Sequence, residues 1–275
     1  MFTNILAPVT PSAYCNRSSD AAIALARHFK SNLVLFHVYG FEHQWGEAEL
    51  LGPAKELEKI RNAISSHFKE KLQDVLNHSV VVTQGVPHVE IVRAARAMDA
   101  DLIIMCPYRS GVGGHEGHIW TRVGSTMEGV TREASCPVMI VSRDMGYGVP
   151  AFRRILAATD FSAQSRAAVD YACQLARHWG SELTVLNVLD SCALGMGMGQ
   201  EAIIQEIMAR KMKMGQEYDA LMHGVGTWSY ECWEGQPGVE ILKLARVKEA
   251  DVIVMARHGK ERDPEKALMG STVAH

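Results

Sequence analysis

The sequence predicts an α/β protein made of two copies of one domain, each a parallel sheet with helices on both faces. Three observations predict this. Segments of the first half recur in the second at a constant spacing of 150 residues. Short apolar runs alternate with stretches whose apolar residues recur every three or four positions. The most apolar run of each half, 101–105 and 251–255, follows a Gly-x-Pro helix start in the same place.

The repeat is direct. Ile5-Leu6-Ala7 returns as Ile155-Leu156-Ala157, and Ala26-Arg27-His28 as Ala176-Arg177-His178. Gly85-Val86-Pro87 matches Gly235-Gln236-Pro237, and Val89-Glu90-Ile91 matches Val239-Glu240-Ile241. Ala100-Asp101 and its apolar run match Ala250-Asp251 and theirs. Gly124-Ser125-Thr126 pairs with Gly270-Ser271-Thr272 at a spacing of 146, so the first copy carries four extra residues in that loop. A unit this long is a duplicated domain rather than a solenoid repeat. The boundary falls near 144–152, which places the domains at 1–146 and 151–275.

Within each copy the order is the same. A first strand (4–8; 154–159) leads to an Ala-rich helix (19–29; 163–179) and a second strand (32–38; 182–188). A long amphipathic helix follows. Leu57, Ile60, Ile64, Phe68, Leu72 and Val75 keep helical spacing in the first copy; Ile203, Ile207, Met214, Tyr218 and Leu221 roughly do so in the second. Then come a third strand (79–84; 230–233), a helix after Gly-x-Pro, and the fourth strand. Alternating strands and helices imply right-handed βαβ units. The first copy adds a helix and a fifth strand at 136–141; the second ends just past its Gly-Ser-Thr, without their counterparts.

Composition excludes several classes. The chain has 275 residues, 47% of them apolar, which suits two cores. A net charge of −3 with both signs scattered argues against nucleic-acid binding. No run approaches the roughly 20 apolar residues of a membrane span, and the N-terminus lacks a signal-peptide pattern. The six cysteines form no CxxC pair and read as reduced, mostly buried thiols of a cytoplasmic protein.

Chemistry concentrates in DVIVMARHGKERDPEKALMGST, residues 251–272. Ligands on parallel sheets bind beyond the carboxyl ends of the strands, where strand order reverses. Gly259 would let the backbone approach a ligand. Gly270-Ser271-Thr272 at a helix start offers free N–H groups, a favourable dipole and hydroxyls, a phosphate site; the same residues also suit a plain helix cap. Arg257, Lys260 or Lys266 would add positive charge. Across the sheet the first strand of this copy ends in Thr159-Asp160, whose carboxylate would accept from a ribose or an amino group.

Together these residues resemble the universal stress protein family, in its tandem form. The similarity covers nearly all of the chain. The resemblance implies a Rossmann-like, adenine nucleotide alpha hydrolase-like fold of five parallel strands, and binding of ATP or a related adenine nucleotide. Its nucleotide-binding members carry an Asp after the first strand and a G-x2-G-x9-G-[ST] loop after the fourth. Asp160, Gly259, Gly270 and Ser271 match. Ala256 replaces the first glycine, and the loop is one residue longer. The resemblance further implies an adenine contact from the Val188 backbone, Mg²⁺ beside the phosphates, and a role as a stress-response regulator. The first copy departs further: Thr10 stands at the place of Asp160, Cys106-Pro107 at that of Ala256-Arg257, and Arg109 at that of Gly259.

Outside this pattern, His115 and His118 have a spacing open to a metal ligand pair, but an exposed polar loop is the better reading and no further ligands are evident. Trp45 and Trp120 suit packing or stacking, the Leu194–Gly199 segment a loop or lid, and Cys106 a buried or redox-sensitive thiol. No P-loop, dinucleotide fingerprint or nucleophile elbow is present. The expected function is an adenine-nucleotide-binding regulator with its site in the second domain, with intramolecular domain pairing and a homodimer as its assembly. Two alternatives stand: a tandem scaffold with decayed sites, and a weak ATPase whose turnover would need only held phosphates and an oriented water.

Overall fold

The computed structural model describes residues 1–10, 16–39, 53–107, 125–142, 152–190, 199–259 and 272. The chain divides into two compact units, Met1–Pro150 and Ala151–His275.

The first unit runs β1 (Asn4–Pro8), α1 (Asn16–Phe29), β2 (Asn32–Tyr39), α2 (Pro53–Phe68), β3 (Asn77–Gln84), α3 (Pro87–Ala97), β4 (Leu102–Met105), α4 (Ser125–Glu133) and β5 (Val138–Ile140). Its five strands are parallel in the order β3-β2-β1-β4-β5. The second unit runs β6 (Arg154–Thr159), α5 (Ala163–Trp179), β7 (Glu182–Leu189), α6 (Gln200–Tyr218), a short 3-10 turn (Asp219–Met222), β8 (Thr227–Glu234), α7 (Pro237–Val247) and β9 (Val252–Val254). Its four described strands are parallel in the order β8-β7-β6-β9. Strand order therefore reverses between β1 and β4, and between β6 and β9, which is where such sheets hold ligands.

The repeated residues perform repeated tasks. Asp251 Oδ2 accepts from the Arg153 and Arg154 N–H groups at 2.8 and 2.9 Å, and Asp101 Oδ2 accepts from those of Thr3 and Asn4 at 2.6 and 3.2 Å. Each carboxylate satisfies the amides where the first strand of its sheet begins. Gly235 adopts φ +141°, and the Glu240 side chain folds against it in the space a Cβ would fill; the Gly-x-Pro-x-x-Glu pattern records that turn. In the first unit Leu6, Phe36, Ile91, Val92, Ile103 and Val130 form a buried cluster, and in the second Leu156, Leu186, Ile241 and Leu244 do so.

The edge strands are longer than their apolar runs predict. β8 pairs with β7 from Thr227↔Glu182 to Glu234↔Leu189, well beyond 230–233. An edge strand keeps only one neighbour, so polar residues such as Ser229, Glu231 and Glu234 extend it without an apolar signal. Cys106, Cys173 and Cys232 are buried and Cys136 is half-buried, all as free thiols. Burial pushes the Cys173 thiol up to about 11 and raises those of Cys136 and Cys232, so these three stay protonated and unreactive at neutral pH. Among the described residues no helix is long and apolar enough to cross a membrane.

Candidate functional site

At the carboxyl end of β6 the backbone turns sharply. Phe161 takes φ +63°, a left-handed conformation unusual for a bulky residue. Ser162 then caps α5, its hydroxyl accepting from the Ser165 N–H at 3.1 Å. Between strand and helix lies Asp160, whose Oδ1 accepts from the Ser162 N–H at 3.0 Å. Partial burial pushes this carboxyl up, but hydrogen bonds from Ser162 and Ser165 outweigh it and hold the group below its ordinary range. Asp160 is therefore an ionised acceptor at neutral pH.

Facing it is the segment after β9. A Cβ built on Gly259 would overlap Asp160 Oδ2. The glycine leaves room for the carboxylate: its backbone lies directly on Asp160, and a side chain there would displace one or the other. This contact brings together two sequence-predicted residues almost a hundred positions apart, at the point where strand order reverses. Ala256 lies half-buried just past β9. Val188 is half-buried one residue beyond the last β6–β7 pair, Thr159↔Asn187, with Trp233 as its β8 partner. Thr272 is helical and half-buried. Lys260, Gly270 and Ser271 lie outside the described residues, as do Lys266, Arg109, His115, His118, Trp45, Trp120 and 194–198 of the glycine-methionine segment.

Further residues complete the region. Thr159 Oγ1 lies 2.6 Å from the Tyr218 hydroxyl and 3.1 Å from that of Ser165, and accepts from the Phe161 N–H at 3.1 Å. Burial raises the Tyr218 phenol, so it stays neutral. Asn187 donates to the Thr159 carbonyl at 2.7 Å and accepts from Arg210 at 2.9 Å, tying α6 to the strand ends. Lys213 sits 4.3 Å over the Phe161 ring. Finally, His258 is only 7% exposed, and its buried Nδ1 has no hydrogen-bond partner among the described residues. Helical periodicity reads the Tyr218 ring but not its hydroxyl, and a single loop histidine gives no spacing signal. The position of His258 between Arg257 and Gly259 was the one clue available.

The first unit shows the same place without the polar set. Val9 stands for Thr159, Phe68 for Tyr218, Ile60 for Arg210 and Thr10 for Asp160. One link survives in altered form: His37 Nδ1 donates to the Val9 carbonyl at 2.7 Å, as Asn187 does to that of Thr159.

The model of the universal stress protein family matches residues 1–142 and again 151–275. The chain belongs to the universal stress protein family. It carries the family's domain twice in tandem. Universal stress protein MJ0531 of Methanocaldococcus jannaschii is 31% identical over 130 residues, 44% of this chain and 72% of that protein. Among solved structures, a universal stress protein from Archaeoglobus fulgidus aligns over 98% of this chain and 90% of its own, with 21% identity and TM-score 0.66. A functionally unknown protein from Pseudomonas aeruginosa aligns over 99% and 88%, with 18% identity and TM-score 0.63. At these identities the structural matches establish the fold alone.

Proposed function

We propose that the second domain binds an adenine nucleotide of the ATP type and that binding serves a regulatory role in a stress response. The observation that carries this reading is the close approach of Gly259 to Asp160 at the strand-order reversal, a backbone cradle beside an ionised acceptor. Asp160 would accept from the ribose or from the base amino group. The Val188 backbone, past the last β6 pair, would meet the adenine edge. Ala256, Gly259 and the Gly270-Ser271-Thr272 segment would hold the phosphates, with Lys260 screening their charge, and Mg²⁺ would arrive with the nucleotide. His258 Nδ1 fits the same ligand: a buried polar atom without a partner costs about 1–3 kcal/mol, and a bound hydroxyl or phosphoryl oxygen would remove that cost.

Among the described residues none is placed as an activated nucleophile or general base, and binding rather than turnover is the function proposed. For the first domain a structural role is favoured by Val9, Phe68 and Thr10, which leave its corresponding strand end without the polar set. The proposal is tested by calorimetric titration of ATP–Mg²⁺ into the wild-type and Asp160→Ala proteins. One site per chain, weakened in the variant, is expected. Equal affinity in both proteins, or no heat with either, would contradict it.

A further inference from the structure

The turn that carries Asp160 is held from outside. Phe161 keeps a left-handed φ of +63°, a conformation that persists in a bulky residue only where its surroundings over-determine it. Helix α6 supplies much of that restraint. Tyr218 bonds Thr159 Oγ1, its ring stacks on that of Phe161 at 6.4 Å, and Lys213 lies over the Phe161 ring. A further link runs through Arg210 and Asn187.

Thr159↔Asn187 is the last pair of the β6–β7 ladder. There the Asn187 side chain, 2% exposed, donates to the Thr159 carbonyl. A side-chain amide has one donating and one accepting end, and Arg210 decides which end faces the strand. A guanidinium only donates, so it takes Oδ1 at 2.9 Å and turns the amino group towards the carbonyl, which only accepts. Arg210 is itself held one turn back, where Glu206 accepts from its Nε at 2.8 Å. The Cys232 thiol adds a long contact to the same Oδ1 at 3.9 Å. Asp160 follows Thr159 and Val188 follows Asn187, so one chain of bonds anchors both residues proposed to meet the nucleoside. The first unit bonds the corresponding carbonyl differently. His37 aims a ring N–H at Val9, which needs no second group to orient it, and Ile60 stands at the place of Arg210. We propose that Arg210 is a positioning residue of the candidate site: acting through Asn187, it holds the strand end and turn that present Asp160 to the ligand. The identity of the ligand rests on the nucleotide reading above; the positioning does not.

The test borrows the first unit's pair. Arg210→Ile leaves the Asn187 amide without its orienting charge, and Asn187→His with Arg210→Ile installs the combination that the same fold already packs. Site-resolved hydrogen exchange of the ligand-free full chain reads the Phe161 and Ser162 amides, which donate to Thr159 Oγ1 and Asp160 Oδ1. In Arg210→Ile these amides should exchange about tenfold faster, the low end for losing a hydrogen bond to a charged group, while the Leu156 and Ala157 amides inside β6 keep their rates. Calorimetric affinity for ATP–Mg²⁺ should fall by a similar factor. The double variant should recover both. A residue that merely stabilised the domain would speed all the β6 amides together, and a histidine at 187 would not restore them. Unchanged Phe161 and Ser162 rates in Arg210→Ile, a double variant no better than the single, or ATP–Mg²⁺ bound equally by wild type and Arg210→Ile would overturn the proposal. A wild type that binds no ATP–Mg²⁺ while the exchange rates change and recover as expected would overturn the nucleotide reading and support the positioning.

Discussion

The backbone of Gly259 rests on the carboxylate of Asp160, so closely that a methyl group on the glycine would overlap Oδ2. This contact joins the ends of β6 and β9, and it yields a direct prediction. Gly259→Ala should destabilise the second domain by roughly 1–3 kcal/mol, the usual cost of forcing an added group into a packed site. In an Asp160→Ala background the same substitution should cost much less, because the overlapping atom is gone. Thermal or urea unfolding of the four proteins measures the coupling; additive costs would place the clash elsewhere.

The hydroxyl pair Thr159–Tyr218 has a natural apolar counterpart in Val9 and Phe68. Removing one partner leaves a buried hydroxyl short of a bond. Tyr218→Phe should therefore cost about 1–2 kcal/mol. Thr159→Val with Tyr218→Phe should cost less than the sum of the singles, since the pair is replaced by one that the same fold already packs. Denaturant unfolding of the three variants is the check.

Much of this arrangement was legible from sequence. The repeat marked two copies with the same order of strands and helices along the chain, and Asp160 and Gly259 were both picked out. Other elements escaped for definite reasons. Edge strand β8 is held by backbone pairing rather than by an apolar run, so only its middle was read. Tyr218 occupied a core position by periodicity, which is blind to where a hydroxyl points. Burial of His258 depends on how its loop lies against neighbouring elements, a tertiary fact that one histidine in a polar stretch does not announce.

His258 should show a trade between stability and binding. Phe offers similar volume without the unpaired nitrogen. His258→Phe should leave the unfolding midpoint of the ligand-free protein unchanged or raised, while weakening ATP–Mg²⁺ about tenfold, close to the value of one hydrogen bond. A fall in stability with affinity intact would make His258 a packing residue only.

Asp160 gives a pH signature. Its folded carboxyl lies below the ordinary value of 3.8. A depressed acid contributes stability that is present above the unfolded value and is lost as pH falls through the folded one. The stability difference between wild type and Asp160→Asn should be constant from about pH 5 to 7 and shrink below about pH 4. A difference that grows on acidification would reverse the assigned direction.

The central claim, that the nucleotide binds at the β6–β9 reversal and not at the matching place in the first domain, is met most directly by hydrogen–deuterium exchange with and without ATP–Mg²⁺. The account predicts slower exchange in peptides spanning 157–162 and 255–260, and no change in 7–10 or 104–107. Protection confined to the first domain, or absent from both at saturating nucleotide, would contradict it.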